Sequence, residues 1–264
     1  MNFETIILEK SNMIATITLN RPQKRNAFND RLLEEFVKAR EDAAADRDVK
    51  VLIITGAGSA FCSGKDFSEA PTADTSLPES LVMRNAIAAQ ENQMLDLRKV
   101  PKPVIAMVNG PVIGAGLGFF FSCDMAIASE EATFGFGFTR LGLHPEAALT
   151  FMLPRVVGLA KACELLFLGK TIDAREAEKL GLVNAVVTKD KLAETTRELA
   201  QSLAKGPTAA IGLAKLSIYQ SWAQGALSAL ENEARANAIC RTTEDYSEAV
   251  KAFREKRSPV FKGR

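Results

Sequence analysis

Apolar residues along the first half of the chain recur in two different periods. Short, mostly apolar runs predict strands over residues 5–9, 13–19, 51–55, 104–108 and 125–128. The third and fourth runs are apolar almost throughout, which is typical of strands that are buried on both faces. The first half therefore predicts a sheet with buried strands.

Helical periods separate these strands and dominate the second half. Asn29 can cap a helix with apolar positions on one face, and residues 77–100 predict a long helix. The other predicted helices lie near 145–157, 161–168, 173–180, 191–204, 208–222, 226–241 and 244–256, with one strand at 183–187. This order predicts an α/β core over residues 1–200 and a helical region over residues 201–264. Residues 68–78, rich in Ser, Thr, Pro and Asp, predict a mobile surface loop.

Composition and charge narrow the class of protein. Of the 264 residues, 47% are hydrophobic and 25% are charged, which is ordinary for a globular protein. The net charge of +1 argues against broad electrostatic binding to nucleic acid or to an acidic membrane, and no apolar run is long enough to span a bilayer. The four scattered cysteines and a strand-like N-terminus without a secretory signal favour a reducing, cytoplasmic location. The cysteine spacing and the single histidine indicate no metal site.

Two turns rich in small residues follow buried strands. They are Phe61-Cys-Ser-Gly-Lys-Asp66 and Asn109-Gly-Pro-Val-Ile-Gly-Ala-Gly-Leu-Gly118. Small residues let a ligand approach the backbone, and the second turn opens a helix whose free N–H groups carry partial positive charge. Two such donors can hold a carbonyl oxygen as it becomes an oxyanion, and each is typically worth about 3 kcal/mol to the transition state. Glycines that only allow tight packing are the alternative.

Glu146 is the only acid between Glu131 and Glu164, and most of its neighbours are apolar or small. An apolar pocket disfavours the charged form of a carboxyl group, so its pKa rises toward the range of a proton-transfer catalyst. The alternative is a helix-start acid after Pro145 that the helix dipole stabilises. The only histidine, His144, either lines the same pocket or has a structural role.

Taken in order, the motifs resemble the enoyl-CoA hydratase/isomerase, or crotonase, superfamily over essentially the whole chain. The matching pieces are Leu19-Asn-Arg-Pro22, Asn26-Ala27, Val51-Leu-Ile-Ile-Thr-Gly56, Phe61-Cys-Ser-Gly-Lys-Asp66, Lys102-Pro-Val-Ile-Ala106, Asn109-Gly110, Gly114-Ala-Gly116, Cys123-Asp124, Phe134-Gly135, Leu141-Gly142, Gly181-Leu-Val183 and Phe261-Lys262. The resemblance implies a spiral of ββα units, a helical C-terminal trimerisation region, and a homotrimer or dimer of trimers. It also implies an acyl-CoA thioester substrate, with coenzyme A as part of that substrate and no separate cofactor.

The resemblance also assigns roles to residues. The backbone N–H groups of Lys65 and Ala115 would form the oxyanion hole, and Glu146 would be the catalytic acid. Coenzyme A and its acyl chain would lie against Lys24, Arg25, Ala27, Ser63, Lys65, Asp66, Phe67 and Phe138, and Phe261 and Lys262 would reach the coenzyme A of a neighbouring subunit.

The chain departs from the hydratases of this family at both catalytic glutamates. The corresponding positions are Gly118 and Phe138, whereas Glu146 lies where similar delta-3,delta-2-enoyl-CoA isomerases place their single acid. The second half also resembles phenylacetate-pathway ring-epoxide isomerases, which usually carry an aspartate at this position. We therefore expect a 3-enoyl-CoA to 2-enoyl-CoA isomerase. A hydratase, a ring-epoxide or oxepin CoA isomerase, a CoA-thioester hydrolase, and a catalytically silent acyl-CoA- or RNA-binding relative remain alternatives.

Overall fold

A computed structural model describes residues 3–66, 68 and 81–264, with only the backbone described for residues 81–87. The loop expected over residues 68–78 therefore falls almost wholly outside the described residues, as does Phe67. Within the described part, the chain alternates nine strands with ten helices. Their bounds are β1 Ile6–Ser11, β2 Ile14–Leu19, α1 Asp30–Ala45, β3 Val51–Gly56, α2 Leu81–Leu95, β4 Val104–Val108, β5 Val112–Ile113, α3 Leu117–Phe121, β6 Met125–Ser129, β7 Thr133–Gly135, α4 Leu149–Val157, α5 Leu159–Phe167, β8 Thr171–Asp173, α6 Ala174–Lys179, β9 Ala185–Val187, α7 Lys189–Ala204, α8 Thr208–Ser221, α9 Ala226–Cys240 and α10 Glu244–Glu255.

Six strands form the main sheet in the order β1-β2-β3-β4-β6-β9. Only the β1–β2 pair, the predicted hairpin, is antiparallel, and the other neighbours are parallel. All six residues of β3 are buried because helices cover both faces of a parallel sheet. The loops after β3 and β4 therefore leave the sheet at the same edge, where the two small-residue turns lie.

A second sheet contains β5, β7 and β8, which the sequence did not predict. The β5–β7 pair is parallel and the β7–β8 pair is antiparallel. Strands of two or three residues are too short to show a period of two. This small sheet matters because β5 leads directly into the second small-residue turn.

Helices α1 and α7 show how the core is built. The Asn29 side chain accepts a hydrogen bond from the Leu32 N–H, as the sequence predicted for the cap of α1. Helix α7 packs Ala200 and Ala204 against apolar residues of the main sheet. The division expected at residue 200 falls inside this helix, and the part that packs on the sheet runs to Ala204.

Two helices begin or end elsewhere than predicted. Helix α2 ends at Leu95, and a 3-10 turn over Asp96–Lys99 replaces its last predicted turn. Helix α4 begins at Leu149 rather than at residue 145, because Ala147 and Ala148 adopt the left-handed backbone conformation, with φ of 55° and 56°. Glu146 is therefore not a helix-start residue.

The last three helices lie outside the main core and expose large apolar side chains. Within α9, whose residues are all described, none is buried. Leu227 and Leu230 of this helix are 81% and 62% exposed, and Phe253 of α10 is 86% exposed. None of the helices in the described ranges has the length and apolar character needed to cross a membrane.

Candidate active site

The two small-residue turns touch each other at the edge of the main sheet. Cys62 pairs with Val112 in a parallel bridge, and the Ile113 N–H donates to the Cys62 carbonyl at 2.9 Å. A Cβ on Gly116 would lie 2.5 Å from that carbonyl oxygen, so only glycine allows this approach. A Cβ on Gly64 would lie 2.9 Å from the Ile113 carbonyl oxygen and 3.5 Å from the Ala115 nitrogen, so Gly64 also approaches the second turn closely. The contact brings the Lys65 and Ala115 segments side by side.

Both backbone N–H groups are placed so that they can donate a hydrogen bond to a ligand oxygen. Phe28 donates to the Gly64 carbonyl at 2.8 Å and accepts from the Asp66 N–H at 2.9 Å. Because successive N–H groups of an extended chain point to opposite sides, the Lys65 N–H faces away from Phe28. Ala115 lies in the first turn of the short helix that leads into α3, where N–H groups lack partners within the helix. Two such donors can stabilise negative charge on one oxygen.

Glu146 is half-buried, and the next residue, Ala147, packs against Gly118, the last residue of the second small-residue turn. Burial raises the pKa of its carboxyl group above the ordinary value, and the charge of Glu91 raises it further. The positive charges of Lys65 and His144 act in the opposite direction on the same pKa. A carboxyl group with a raised pKa can both accept and return a proton.

The backbone after Glu146 turns sharply to place its side chain. Ala147 and Ala148 are consecutive left-handed residues, a conformation that costs a non-glycine residue roughly 1–2 kcal/mol. Ala147 is buried and its Cβ lies 2.9 Å from the position that a Cβ on Gly118 would occupy. Strain of this kind is often concentrated at functional sites.

The two positions that carry glutamates in the hydratases hold no acid, and both are closely packed. A Cβ on Gly118 would lie 2.7 Å from the Met94 sulfur, so a longer side chain would displace Met94. Phe138 is only 4% exposed, and Phe136 is fully buried. These rings belong to the apolar core, as the sequence predicted for Phe119, whose ring packs against Phe28 and Phe36 with centroids 5.8 and 4.9 Å away.

Helix α2 supplies two site residues that the sequence did not single out. The Lys65 ammonium donates to Gln90 Oε1 at 3.3 Å, and Gln90 Nε2 donates to Asp30 at 2.7 Å. Glu91 follows on the same turn and acts electrostatically on Glu146. Both are polar residues inside a predicted helix, where polar residues are common. A single sequence therefore gives no sign that they belong to the site.

A second group of predicted residues lies where the loop after β2 meets the first small-residue turn. Ser63 Oγ donates to the Lys24 carbonyl at 3.2 Å, and the Ser63 N–H donates to the Arg25 carbonyl at 3.1 Å. Lys24 and Arg25 are exposed, Ala27 is buried, and Lys65 is half-buried. The structure therefore brings together five of the predicted binding residues.

Asp66 is occupied by protein partners. Arg21 bonds to its Oδ2 at 2.8 Å and Ser68 Oγ donates to its Oδ1 at 2.6 Å. The hydrogen bond from Ser68 is the main cause that lowers the pKa of Asp66 to about 2. Asp66 therefore holds the turn in place as a charged group, and its contact with a ligand stays a prediction.

Phe261 and Lys262 lie away from the other predicted residues. The Lys262 and Gly263 N–H groups donate to Asp245 at 2.7 and 2.8 Å, which pins the C-terminal tail to the start of α10. The tail borders a cavity of about 840 Å³ together with Lys50, which precedes β3. The two small-residue turns instead follow the far ends of β3 and β4. The tail therefore does not reach these turns within one chain.

Of the single histidine and the four cysteines, His144 and Cys62 lie near the site. His144 is exposed, and all four cysteines are free thiols. Burial raises the pKa of the Cys62 thiol to about 12, so this thiol stays protonated at neutral pH. No three His, Cys, Asp or Glu side chains cluster to hold a metal ion in the part of the chain that is described.

An α/β core, two contacting small-residue turns and a half-buried carboxylate suit an enzyme that acts next to an activated carbonyl group. Comparison with known proteins supports an enzyme of this kind. Residues 9–264 match the family model described as enoyl-CoA hydratase/isomerase, and the chain belongs to this family.

Similar proteins carry several activities within the family. The chain is 35% identical to an Escherichia coli 1,2-epoxyphenylacetyl-CoA isomerase, with 99% of each chain covered. It is 36% identical to a short-chain-enoyl-CoA hydratase of Clostridium acetobutylicum, with 97% of each covered. The crystal structure of an enoyl-CoA hydratase subunit from Geobacillus kaustophilus superposes with a TM-score of 0.91 at 34% identity and covers 99% of both chains. The crotonase fold is thus established, and the particular reaction is not fixed by these names.

Proposed function

We propose that the protein is an isomerase that moves the double bond of an acyl-CoA thioester from the 3 to the 2 position. The observation that carries the proposal is Glu146, a half-buried carboxylate with a raised pKa whose neighbour Ala147 packs against the second small-residue turn. The hydratase positions, Gly118 and Phe138, provide no competing acid. A 1,3-shift needs only one proton-transfer group, because the same group can remove and return the proton.

In the first step, ionised Glu146 removes a proton from C2 of the 3-enoyl thioester. The electrons of that C–H bond form a dienolate, and the thioester oxygen becomes negative. The N–H groups of Lys65 and Ala115 stabilise this oxygen because they are already oriented toward it, and each donor contributes about 3 kcal/mol.

In the second step, protonated Glu146 returns the proton to C4. The dienolate collapses to the conjugated 2-enoyl thioester, and Glu146 is again ionised. Buried rings such as Phe136 and Phe138 limit the access of water, which disfavours loss of the proton to solvent. The reaction requires no cofactor, because coenzyme A is part of the substrate.

The coenzyme A portion is proposed to lie along the exposed loop after β2. Lys24 and Arg25 offer positive charge for phosphate groups, and Ser63 of the first small-residue turn donates to the Lys24 carbonyl. The exposed apolar side chains of α9 support assembly into a homotrimer or a dimer of trimers, in which Phe261 and Lys262 serve a neighbouring copy. The free cysteines favour a cytoplasmic location.

A ring-epoxide isomerase is the second candidate. The Escherichia coli relative with that name matches the whole chain at 35% identity. The same donors and Glu146 could act on an epoxide or oxepin ring that is conjugated to a thioester.

The test compares the wild-type protein and Glu146→Gln with 3-enoyl-CoA substrates of several lengths and a ring-epoxide CoA ester, followed by product identification. We expect the variant to fold and to bind CoA esters, while kcat/KM for isomerisation falls by about 100-fold to 10,000-fold. Exposed Glu198 provides the matched control, Glu198→Gln, which should keep full activity. Near-wild-type isomerisation by Glu146→Gln would rule out the proposed mechanism, and turnover of the epoxide alone would favour the second candidate.

A further inference from the structure

A second cavity, of about 260 Å³, lies between α3, α4 and α8. Its lining is mostly apolar and aromatic and includes Phe121 of α3, Met152 of α4 and Trp222 at the end of α8. The charged residues of the lining are Asp124, which precedes β6, and Arg98, which lies on the 3-10 turn after α2. We call this space the Arg98 cavity. Because pockets for drug-sized ligands typically span about 300–1,000 Å³, it suits a smaller group.

The Arg98 guanidinium group is half-buried and has no carboxylate partner in the part of the chain that the structure describes. Its Nη2 donates to the Phe121 carbonyl and contacts the Met152 sulfur, whereas its Nε is buried without a hydrogen-bond partner. The guanidinium carbon lies 4.6 Å from the centre of the Tyr219 ring and 5.2 Å from that of Trp222. Two aromatic rings therefore hold the group in place, and no ion pair does.

Asp124 is not free to neutralise Arg98, because both of its carboxylate oxygens have other partners. Oδ2 accepts from the Lys215 ammonium at 2.9 Å and from the Val104 N–H at 2.7 Å, and Oδ1 accepts from the Tyr219 hydroxyl at 2.9 Å. Lys215 is only 6% exposed. Two buried or half-buried cations thus share one carboxylate, which leaves one positive charge without a partner.

Cys123 and Tyr219, the other titratable residues of the described lining, supply no negative charge. Burial raises the pKa of the Cys123 thiol and of the Tyr219 hydroxyl, so both stay protonated at neutral pH. A buried charge is costly unless an opposite charge or a full set of hydrogen bonds compensates it. The Arg98 cavity therefore has the electrostatics of an anion site with apolar walls.

We propose that the Arg98 cavity binds a carboxylate group carried on a short apolar body. The carboxylate accepts hydrogen bonds from the guanidinium group at Nη1, which donates to no described residue. Arginine suits this role because it stays charged when buried and because its planar donors match the geometry of a carboxylate. The aromatic and aliphatic walls contact the apolar body of the ligand.

The position of the cavity allows two sources for this carboxylate. A free carboxylic acid can come from solvent, because Val156 and Ile218 of the lining are exposed. The other source is the far end of a bound acyl chain. Arg98 follows Met94, which packs against Gly118 in the candidate active site, by four residues, or about 6 Å along a helix axis. Only this second source rests on the proposed function.

The first experiment follows the fluorescence of Trp222, which is the only tryptophan of the chain and lines the cavity. The probes are hexanoate and hexanamide, its neutral amide of similar shape. We expect hexanoate to change the fluorescence saturably and hexanamide to bind at least about tenfold more weakly, because the charged hydrogen bond is lost. Arg98→Met should weaken hexanoate binding by about the same factor.

Two further variants control this experiment. The Arg155 guanidinium stacks 3.5 Å from the centre of the Phe151 ring and does not line the cavity, so Arg155→Met should bind hexanoate like the wild-type protein. Val156→Phe narrows the cavity and leaves Arg98 in place. It should weaken hexanoate binding at least about tenfold, and it keeps the proposal testable if Arg98→Met does not fold. Urea unfolding checks the fold of every variant.

The second experiment distinguishes the two sources by comparing the CoA thioesters of octanedioic acid and octanoic acid. Binding is measured rather than turnover, so the result does not depend on the proposed reaction. If the carboxylate belongs to the acyl chain, the octanedioic thioester should bind at least about tenfold more tightly, and Arg98→Met should remove the difference. If it belongs to a free acid, the two thioesters should bind alike and hexanoate should still bind.

The proposal is overturned if hexanoate and the octanedioic thioester show no preference over their uncharged counterparts. It is equally overturned if a preference exists and a folded Arg98→Met variant keeps it. Binding of hexanoate through Arg98 by a protein that does not isomerise 3-enoyl-CoA would contradict the proposed function and support the carboxylate site.

Discussion

Glu146 combines two features that a single carboxylate seldom has on a protein surface. It is half-buried among small apolar residues, and a second carboxylate, Glu91, acts on it. Both features favour the proton on Glu146 in the folded state. Stability and activity should therefore both depend on pH through this residue.

The stability effect has a definite sign. The ordinary glutamate pKa is 4.5, and the folded-state pKa of Glu146 is higher, so the folded protein binds this proton more tightly than the unfolded chain does. As pH rises from 4.5 through the folded-state value, wild-type stability should fall relative to Glu146→Gln. Urea unfolding at several pH values checks this, and an equal stability difference at every pH would contradict it.

Lys65 should tune the reactivity of Glu146 through its side chain, separately from its backbone N–H. Its positive charge lowers the Glu146 pKa, so Lys65→Met should move the rising limb of the isomerisation pH profile to higher pH. Gln90→Leu is the matched control, because it removes the partner of the Lys65 ammonium and leaves the charge. The prediction fails if both variants shift the limb equally.

The sequence was enough to single out Glu146 and the two turns as candidates, because lone acids and glycine-rich turns are local signals. Contacts between distant segments were not predictable. Glu91 and Gln90 become site residues only because α2 packs beside Gly118, and Asp66 is occupied only because Arg21 and Ser68 reach it. Such contacts depend on the folded chain and leave no local pattern.

At the level of elements, the start of α4 differs most from the sequence-based expectation. Helix propensity and Pro145 favoured a start at residue 145, whereas packing of Ala147 against Gly118 imposes two left-handed residues. The long helices and strands were predicted within a few residues because their periods are long enough to detect. The strands of the small sheet were missed because two or three residues show no period.

Relief of the left-handed strain gives a prediction for Ala148, which is only partly buried. Glycine adopts this conformation without the cost of about 1–2 kcal/mol, although it adds chain entropy to the unfolded state worth about 0.4–1 kcal/mol. Ala148→Gly should therefore stabilise the protein by about 0.5–1 kcal/mol in urea unfolding. Clear destabilisation would show that the Ala148 side chain has a packing role that outweighs the strain.

The contact between the two donor turns is similarly testable. Gly116→Ala places a Cβ 2.5 Å from the Cys62 carbonyl oxygen, and a backbone atom cannot easily move away. We expect a loss of about 1–3 kcal/mol in stability, and a fall in kcat because the donors separate. Gly137→Ala is the control, since a Cβ there meets nothing within 4 Å. Unchanged kcat in Gly116→Ala would argue against the oxyanion role of this turn.

At the scale of the whole molecule, the exposed apolar side chains of α9 and α10 are the dominant feature. Contact of the large apolar side chains of Leu227 and Leu230 with water is unfavourable, so we expect a partner copy to cover them. The double variant Leu227→Lys, Leu230→Lys should shift the protein toward single chains in sedimentation experiments. A wild-type protein that already sediments as a single chain would contradict the proposed assembly.

The C-terminal tail has a consequence for how the enzyme responds to dilution. Asp245 pins Lys262 and Gly263 beside the start of β3, away from the two donor turns of the same chain. If Phe261 and Lys262 bind the coenzyme A of another copy, a separated chain lacks part of its binding surface. Specific activity at low substrate concentration should then decline once the protein is too dilute to stay assembled. The apparent affinity for substrate would therefore depend on the concentration of the protein itself.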